Sequence, residues 1–261
     1  MTDASVHPDE LDPEYHHHGG FPEYGPASPG AGFGQFVATM RRLQDLAVAA
    51  DPGDAVWDEA AERAAALVEL LSPFEADEGK APAGRTPGLP GMGSLLLPPW
   101  TVTRYGTDGV EMRGSFSRFH VGGNSAVHGG VLPLLFDHMF GMISHAAGRP
   151  ISRTAFLHVD YRRITPIDVP LIVRGRVTNT EGRKAFVCAE LFDSDETLLA
   201  EGNGLMVRLL PGQPQLRFSV STLQSQTCVR RLLNNRHCQD TQARNGTFGS
   251  THHAVVVSGS G

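Results

Sequence analysis

The chain has 261 residues, enough for one large domain or two small ones and for a sizeable core. Its formal net charge of -6 argues against a general nucleic-acid binder, which would carry a clustered basic excess. No apolar run reaches the length of a membrane span, about 18 residues or more. The acidic N-terminus lacks a basic, apolar, small-residue signal, which predicts a cytoplasmic protein.

Residues 1–32 combine Pro, Gly and acidic side chains with few aliphatics and are expected to be disordered; His16, His17 and His18 fall there. From Phe33 the pattern turns helical. Phe36, Met40, Leu43, Leu46 and Ala47 recur at helical spacing until Asp51-Pro52-Gly53, and Val56, Ala60, Arg63, Leu67, Leu70 and Leu71 form a second stripe ending at Ser72-Pro73. The expectation is a helical hairpin over 33–78, followed by a Gly/Pro-rich linker over 79–99.

A domain over 100–211 comes next. Val102 and Val110 flank the turn signal Gly106-Thr107-Asp108-Gly109. Residues 131–147, VLPLLFDHMFGMISHAA, are apolar nearly all round, so this helix is expected to be buried on every side, with Pro133 harmless in its first turn. Further strand runs follow at 154–161, 171–177, 185–192 and 198–209. Their links are short, so these four strands are expected to form an antiparallel meander. The fold class is α+β: a curved antiparallel sheet wrapped around a long central helix, with an N-terminal helical extension. Residues 212–261 lose all periodicity and read as a disordered tail. Cys188 reads as a reduced core residue. Cys228 and Cys238, even with His237, lack metal-ligand spacing, so no metal or other cofactor is expected.

Two features of 120–141 carry chemistry. His128-Gly129-Gly130 opens the central helix, so amides free of side chains point from a helix N-terminus, a ready site for a partial negative charge such as that on a polarised carbonyl oxygen. Asp137 lies in an otherwise apolar helix, where an unpartnered buried carboxylate would cost several kcal/mol. Either feature has a bland reading: the glycines permit close packing, and the aspartate is a satisfied structural group. Their separation sharpens the argument. Asp137 stands about 12 Å along the helix from Gly129, too far for both to reach one carbonyl carbon within one subunit. A homodimer, or a tetramer of such dimers, is therefore expected to share the site.

The histidine-glycine-glycine motif, with an acidic residue nine positions after the histidine, resembles the PaaI-like hotdog acyl-CoA thioesterases of the 4-hydroxybenzoyl-CoA thioesterase superfamily. The likeness covers roughly 91–210, including Thr154 to Pro166, Glu181 to Val187 and Leu198 to Leu209. With the helical extension, it is most similar to the mammalian mitochondrial-type acyl-CoA thioesterases. The resemblance implies a hotdog fold and cofactor-independent hydrolysis of an acyl-CoA substrate. Asp137 would be general base or nucleophile, the Gly129 amide would polarise the carbonyl, and Thr154 would orient the attacking water. His128 and Gly130 complete the motif. Many relatives carry Asn or Gln six residues before its histidine; Gly122 stands there, leaving Asn124 as the candidate substitute.

Read without the family, Thr154 is an ordinary strand residue. His138 and His145, seven apart, lack metal spacing and read as packing or surface groups. His158 is expected on the strand face of Thr154. Arg162, Arg163, Arg183 and Lys184 fit either coenzyme A phosphates or a solvated basic edge. Two rivals remain open. One is a hotdog hydroxyacyl-thioester dehydratase or hydratase, which would need His128 or His158 as its catalytic base. The other is a non-catalytic acyl-CoA-binding regulator, which would be expected to carry a basic recognition helix absent here.

Overall fold

The structure is a computed structural model, and it describes residues 26–77, 79–150 and 152–208. The histidine run at 16–18, the cysteines beyond 208 and the expected tail lie outside those residues.

Two helices come first, α1 (Ala31–Ala49) and α2 (Asp54–Leu71). The inward face of α1 differs from the expected stripe. Val37 is buried, and Phe36 and Met40 of that stripe are partly buried together with Phe33, Arg41, Gln44 and Asp45, while Leu43, Leu46 and Ala47 stay exposed. The reason is polar. The Arg41 guanidinium donates to the carbonyls of Ser94 and Leu97 (3.0 Å for Leu97), and Asp45 Oδ1 accepts the Phe119 amide at 3.0 Å. Residues 79–99 are thus a set of turns stitched to α1 rather than a free linker. A Cβ at Gly91, whose φ is +58°, would lie 2.7 Å from the Arg41 guanidinium. In α2 no residue is buried, and Val56, Trp57 and Val68 are exposed, so the two helices do not bury the joint seam expected of a hairpin.

The remaining elements are β1 (Thr101–Gly106), β2 (Gly109–Gly114), β3 (Val121–Gly123), β4 (Ala126–Val127), α3 (Val131–Ala146), β5 (Ser152–Tyr161), β6 (Leu171–Glu181), β7 (Lys184–Phe192) and β8 (Leu198–Arg208). Six form one antiparallel sheet in the order β1-β2-β6-β7-β8-β5, while β3 and β4 make a separate ribbon. The expected four-strand meander is therefore corrected. Only β6, β7 and β8 meander, and β5 pairs with β8 at the sheet edge. The link from β5 to β6 explains why. Residues 162–170 include Pro166 and Pro170, which break a tight turn. The ribbon then captures this segment: the Val127 amide donates to the Thr165 carbonyl and the Ile167 amide to that of Ser125. Nine residues easily span the three strand spacings, about 14 Å, between β5 and β6.

Helix α3 lies across the inner face of the sheet. Leu132, Leu135, Phe136, Met139, Phe140 and Ile143 are fully buried with Met112, Val173, Val187 and Leu191. Fully burying one such side chain stabilises the fold by about 1.5–3 kcal/mol. Glycines let the helix settle this close. Phe136 fills the space a Cβ at Gly202 would need, at 2.8 Å, Ile143 does so at Gly175, and Phe140 sits over Gly204. The expectation of burial on every side fails. Asp137, Gly141 and His145, spaced four apart, form an exposed stripe in the single chain.

Candidate active site

Asp137 sits on that exposed stripe of α3, so its carboxylate avoids the cost of an apolar interior. Its partner is Thr154 of β5, whose hydroxyl donates to Asp137 Oδ1 at 2.7 Å; Met206 Sδ of β8 lies 3.3 Å from the same hydroxyl. A β-bulge aims Thr154 at the helix. Thr154 pairs with Met206 and Phe156 with Leu205, leaving Ala155 as the extra residue. The bulge flips the alternation. Leu157 and Val159 pack toward α3, whereas Phe156 and His158 face outward. His158 is therefore not on the face of Thr154, and it bonds Asp160 at 3.3 Å instead.

The glycine turn before α3 is held at several points. The His128 amide donates to the His120 carbonyl (2.8 Å) and the Val131 amide to the His128 carbonyl (2.9 Å). The Gly130 amide donates to His128 Nδ1 at 3.1 Å, making Nδ1 the lone-pair nitrogen of that ring. The Gly129 carbonyl accepts the Tyr161 hydroxyl at 2.7 Å. Of the four amides from His128 to Val131, only that of Gly129 makes no hydrogen bond within the described residues. His120 belongs to the same assembly: its Nδ1 accepts the Ser117 amide at 3.0 Å, and its ring meets Phe116 and Phe119 edge-on. Burial pushes the His120 imidazole down.

Asn124 stands at the tip of the β3–β4 ribbon. It and Ser125 have φ of 49° and 58°, the pair of left-handed residues of a type I′ turn. It makes no side-chain hydrogen bond within the described residues and is not brought to Asp137 by any contact. Gly122 has no room for the amide found in relatives. A Cβ there would lie 2.8 Å from His128 Cα, so the ribbon packs directly on the motif.

The four basic residues do not converge. Arg162 is engaged by Glu201 and Asp160, and the Arg163 amide bonds the Leu199 carbonyl, all at one end of β8. Arg183 and Lys184 stand at the other end, where Arg183 Nη1 donates to the Arg208 carbonyl at 2.8 Å. Leu199 and Arg208 are nine residues apart on one strand, about 30 Å. A cavity of about 200 Å³ is walled by Gly141, Ser144, Arg149, Ser152 and Met206, and Arg149 ties it to the hairpin of Arg183 and Lys184 through the Gly182 and Lys184 carbonyls, the former accepting Arg149 Nη2 at 2.9 Å. His145 on its rim bonds the Tyr105 hydroxyl, and burial pushes that phenol up. His138, beside Asp137, is half-buried with its Nε2 enclosed and unpartnered, and burial pushes its imidazole down. Among the described residues, no three His, Cys, Asp or Glu side chains form a metal cluster. Tyr161 and Met206 escaped the sequence reading as site residues. The one available signal was a tyrosine closing the same edge strand that supplies Thr154.

A six-stranded antiparallel sheet around one central helix, with a glycine turn at the helix start and a carboxylate on its open face, defines a hotdog-fold protein of thioesterase type. Residues 124–200 match the family model of the thioesterase superfamily. Over 89 residues the chain is 34% identical to acyl-coenzyme A thioesterase THEM4 of Rattus norvegicus, covering 34% of this chain and 38% of that protein. It is 32% identical to its Mus musculus counterpart over the same shares of each chain. The chain thus spans well under half the length of the curated relatives it matches. A crystal structure of a thioesterase superfamily protein superposes with a TM-score of 0.61 at 25% identity, covering 70% of this chain and 98% of that one. Among the described residues no helix is long and apolar enough to cross a membrane.

Proposed function

We propose that the protein hydrolyses acyl-CoA thioesters to free acid and coenzyme A, without a cofactor, with Asp137 as its reactive carboxylate. The observation that carries the reading is the hydrogen bond from Thr154 to Asp137 on the exposed face of α3. A carboxylate held by one hydroxyl and open to solvent is suited to take a proton from water or to attack a thioester directly. Thr154 fixes the carboxylate and is close enough to order that water. The Gly129 amide supplies the donor for the carbonyl oxygen.

Within one chain these groups stand about 12 Å apart along α3, so a complete site combines Gly129 of one protomer with Asp137 and Thr154 of another. Two surfaces support such a homodimer: the exposed Asp137-Gly141-His145 stripe and the open edge of β5, where Phe156 and Tyr161 are exposed. The coenzyme A phosphates fit the basic end formed by Arg149, Arg183 and Lys184 better than Arg162, which Glu201 and Asp160 already neutralise. A cytoplasmic, non-membrane enzyme of lipid metabolism completes the reading.

The experiment is a panel of acyl-CoAs of varied chain length and head group, incubated with the purified full chain and a thiol reagent. Release of coenzyme A that disappears in Asp137→Ala supports the reading. Absence of release from every acyl-CoA overturns it.

A further inference from the structure

We infer that Tyr161 is a positioning residue for the reaction, acting through the peptide that follows Gly129. This inference rests on the proposed thioesterase site and extends it to a residue outside that mechanism.

The peptide linking Gly129 and Gly130 is gripped at both ends. Its carbonyl accepts the Tyr161 hydroxyl at 2.7 Å, and its N–H donates to His128 Nδ1 at 3.1 Å. Two glycines in succession have wide freedom in φ and ψ, so an ungripped turn would sample many orientations. With that peptide fixed and the His128 amide tied to the His120 carbonyl, the Gly129 N–H is held between two anchored planes. It is also the amide of the turn left without a partner. A polarising donor lowers a barrier only if it is aimed before the charge develops, because reorienting it during reaction consumes the gain. The Tyr161 hydroxyl supplies that aim from outside the turn.

The placement of Tyr161 ties the two halves of the chemistry to one strand. It closes β5, the strand whose bulge aims Thr154 at Asp137. The Tyr161 ring runs beside Gly129, with its hydroxyl 3.7 Å from where a Cβ would stand, so the contact is snug without strain. The side chain is 54% exposed. Removing one oxygen there opens no cavity in the core, so the effect of that oxygen is separable from the fold.

The test is Tyr161→Phe in the full-length protein, with steady-state acyl-CoA hydrolysis and an NMR spectrum of protein labelled with ¹⁵N-glycine. The expected result is a fall in kcat of about fivefold with KM within twofold, since one hydrogen bond is typically worth about 1 kcal/mol. The melting temperature should stay unchanged, while the Gly129 and Gly130 amide signals shift or broaden. A variant with wild-type kcat overturns the inference, and so does one in which KM rises at constant kcat, because Tyr161 would then contact substrate. Unmoved glycine amides overturn it too. If the wild-type protein hydrolyses no acyl-CoA, the proposed function falls separately, and the glycine signals still report whether the clamp exists.

Discussion

The Thr154 hydroxyl reaches Asp137 at 2.7 Å because a single extra residue, Ala155, bulges β5. Without the bulge, regular alternation would put Thr154 on the face that carries Leu157 and Val159 only by displacing those two from the core. Strand geometry and site geometry therefore depend on one another. Asp137→Ala is expected to abolish hydrolysis while the fold persists, since the carboxylate is exposed and Ala is the better helix former. Thr154→Ala should retain activity reduced about 10- to 100-fold. Combining the two should cost no more than Asp137→Ala alone, because residues acting as a unit are not additive. Full kinetics with melting curves check all three variants.

Sharing of the site between protomers has a direct assay. Asp137→Ala and a variant bulked at Gly129, such as Gly129→Val, should each be inactive alone. After dissociation and reassembly together, each hybrid dimer should regain one of its two sites, so that a statistical mixture recovers up to about a quarter of wild-type activity, as two-fold symmetry dictates. A fully active monomer by sedimentation, or mixed dimers with no activity, would rule sharing out.

Installing the amide that many relatives carry should not improve this protein. Gly122→Asn places a Cβ 2.8 Å from His128 Cα, a backbone atom that cannot rotate away, so the ribbon or the glycine turn must move. The expected cost is about 1–3 kcal/mol in stability, together with lost activity. Urea unfolding and the acyl-CoA assay measure both.

The seating of α3 on the sheet should be equally unforgiving at Gly202. Alanine there meets the Phe136 ring at 2.8 Å in a fully buried layer, so Gly202→Ala is expected to destabilise by about 1–3 kcal/mol. Alanine at Gly32 of α1, exposed and with no atom within 4 Å of its Cβ, should instead be neutral or stabilising. The contrast between two melting curves tests the packing.

An acid-sensitive element lies on the outer face of the sheet. Hydrogen bonds from Arg174 first, then Arg113, hold the Glu111 carboxyl down to about 2 from 4.5. The unfolded chain binds that proton at the higher pH, so the contribution to stability is complete above about 4.5 and is lost as pH falls toward 2. The melting-temperature gap between wild type and Glu111→Gln should be widest near neutrality and narrow below about pH 4. A gap that is constant with pH would show that the pair contributes nothing through ionisation.

The sequence alone determined the class of the fold and the two ends of the candidate site. Apolar content marked α3, alternation and turn residues marked the strands, and both the glycine turn and Asp137 stood out as chemistry out of place. These are local properties, carried by neighbours along the chain. What only the tertiary structure decided was every relationship across it. Alternation could not register the bulge at Ala155, which separates Thr154 from His158, because a bulge is defined by the partner strand. Short links suggested a meander, yet β5 pairs with β8 because the ribbon captures the chain at Thr165 and Ile167. Helical spacing gave α1 an apolar stripe, and polar contacts of Arg41 and Asp45 rotated it. The grip of Tyr161 on Gly129 joins residues thirty-two positions apart, a contact that no period of 2 or 3.6 can encode.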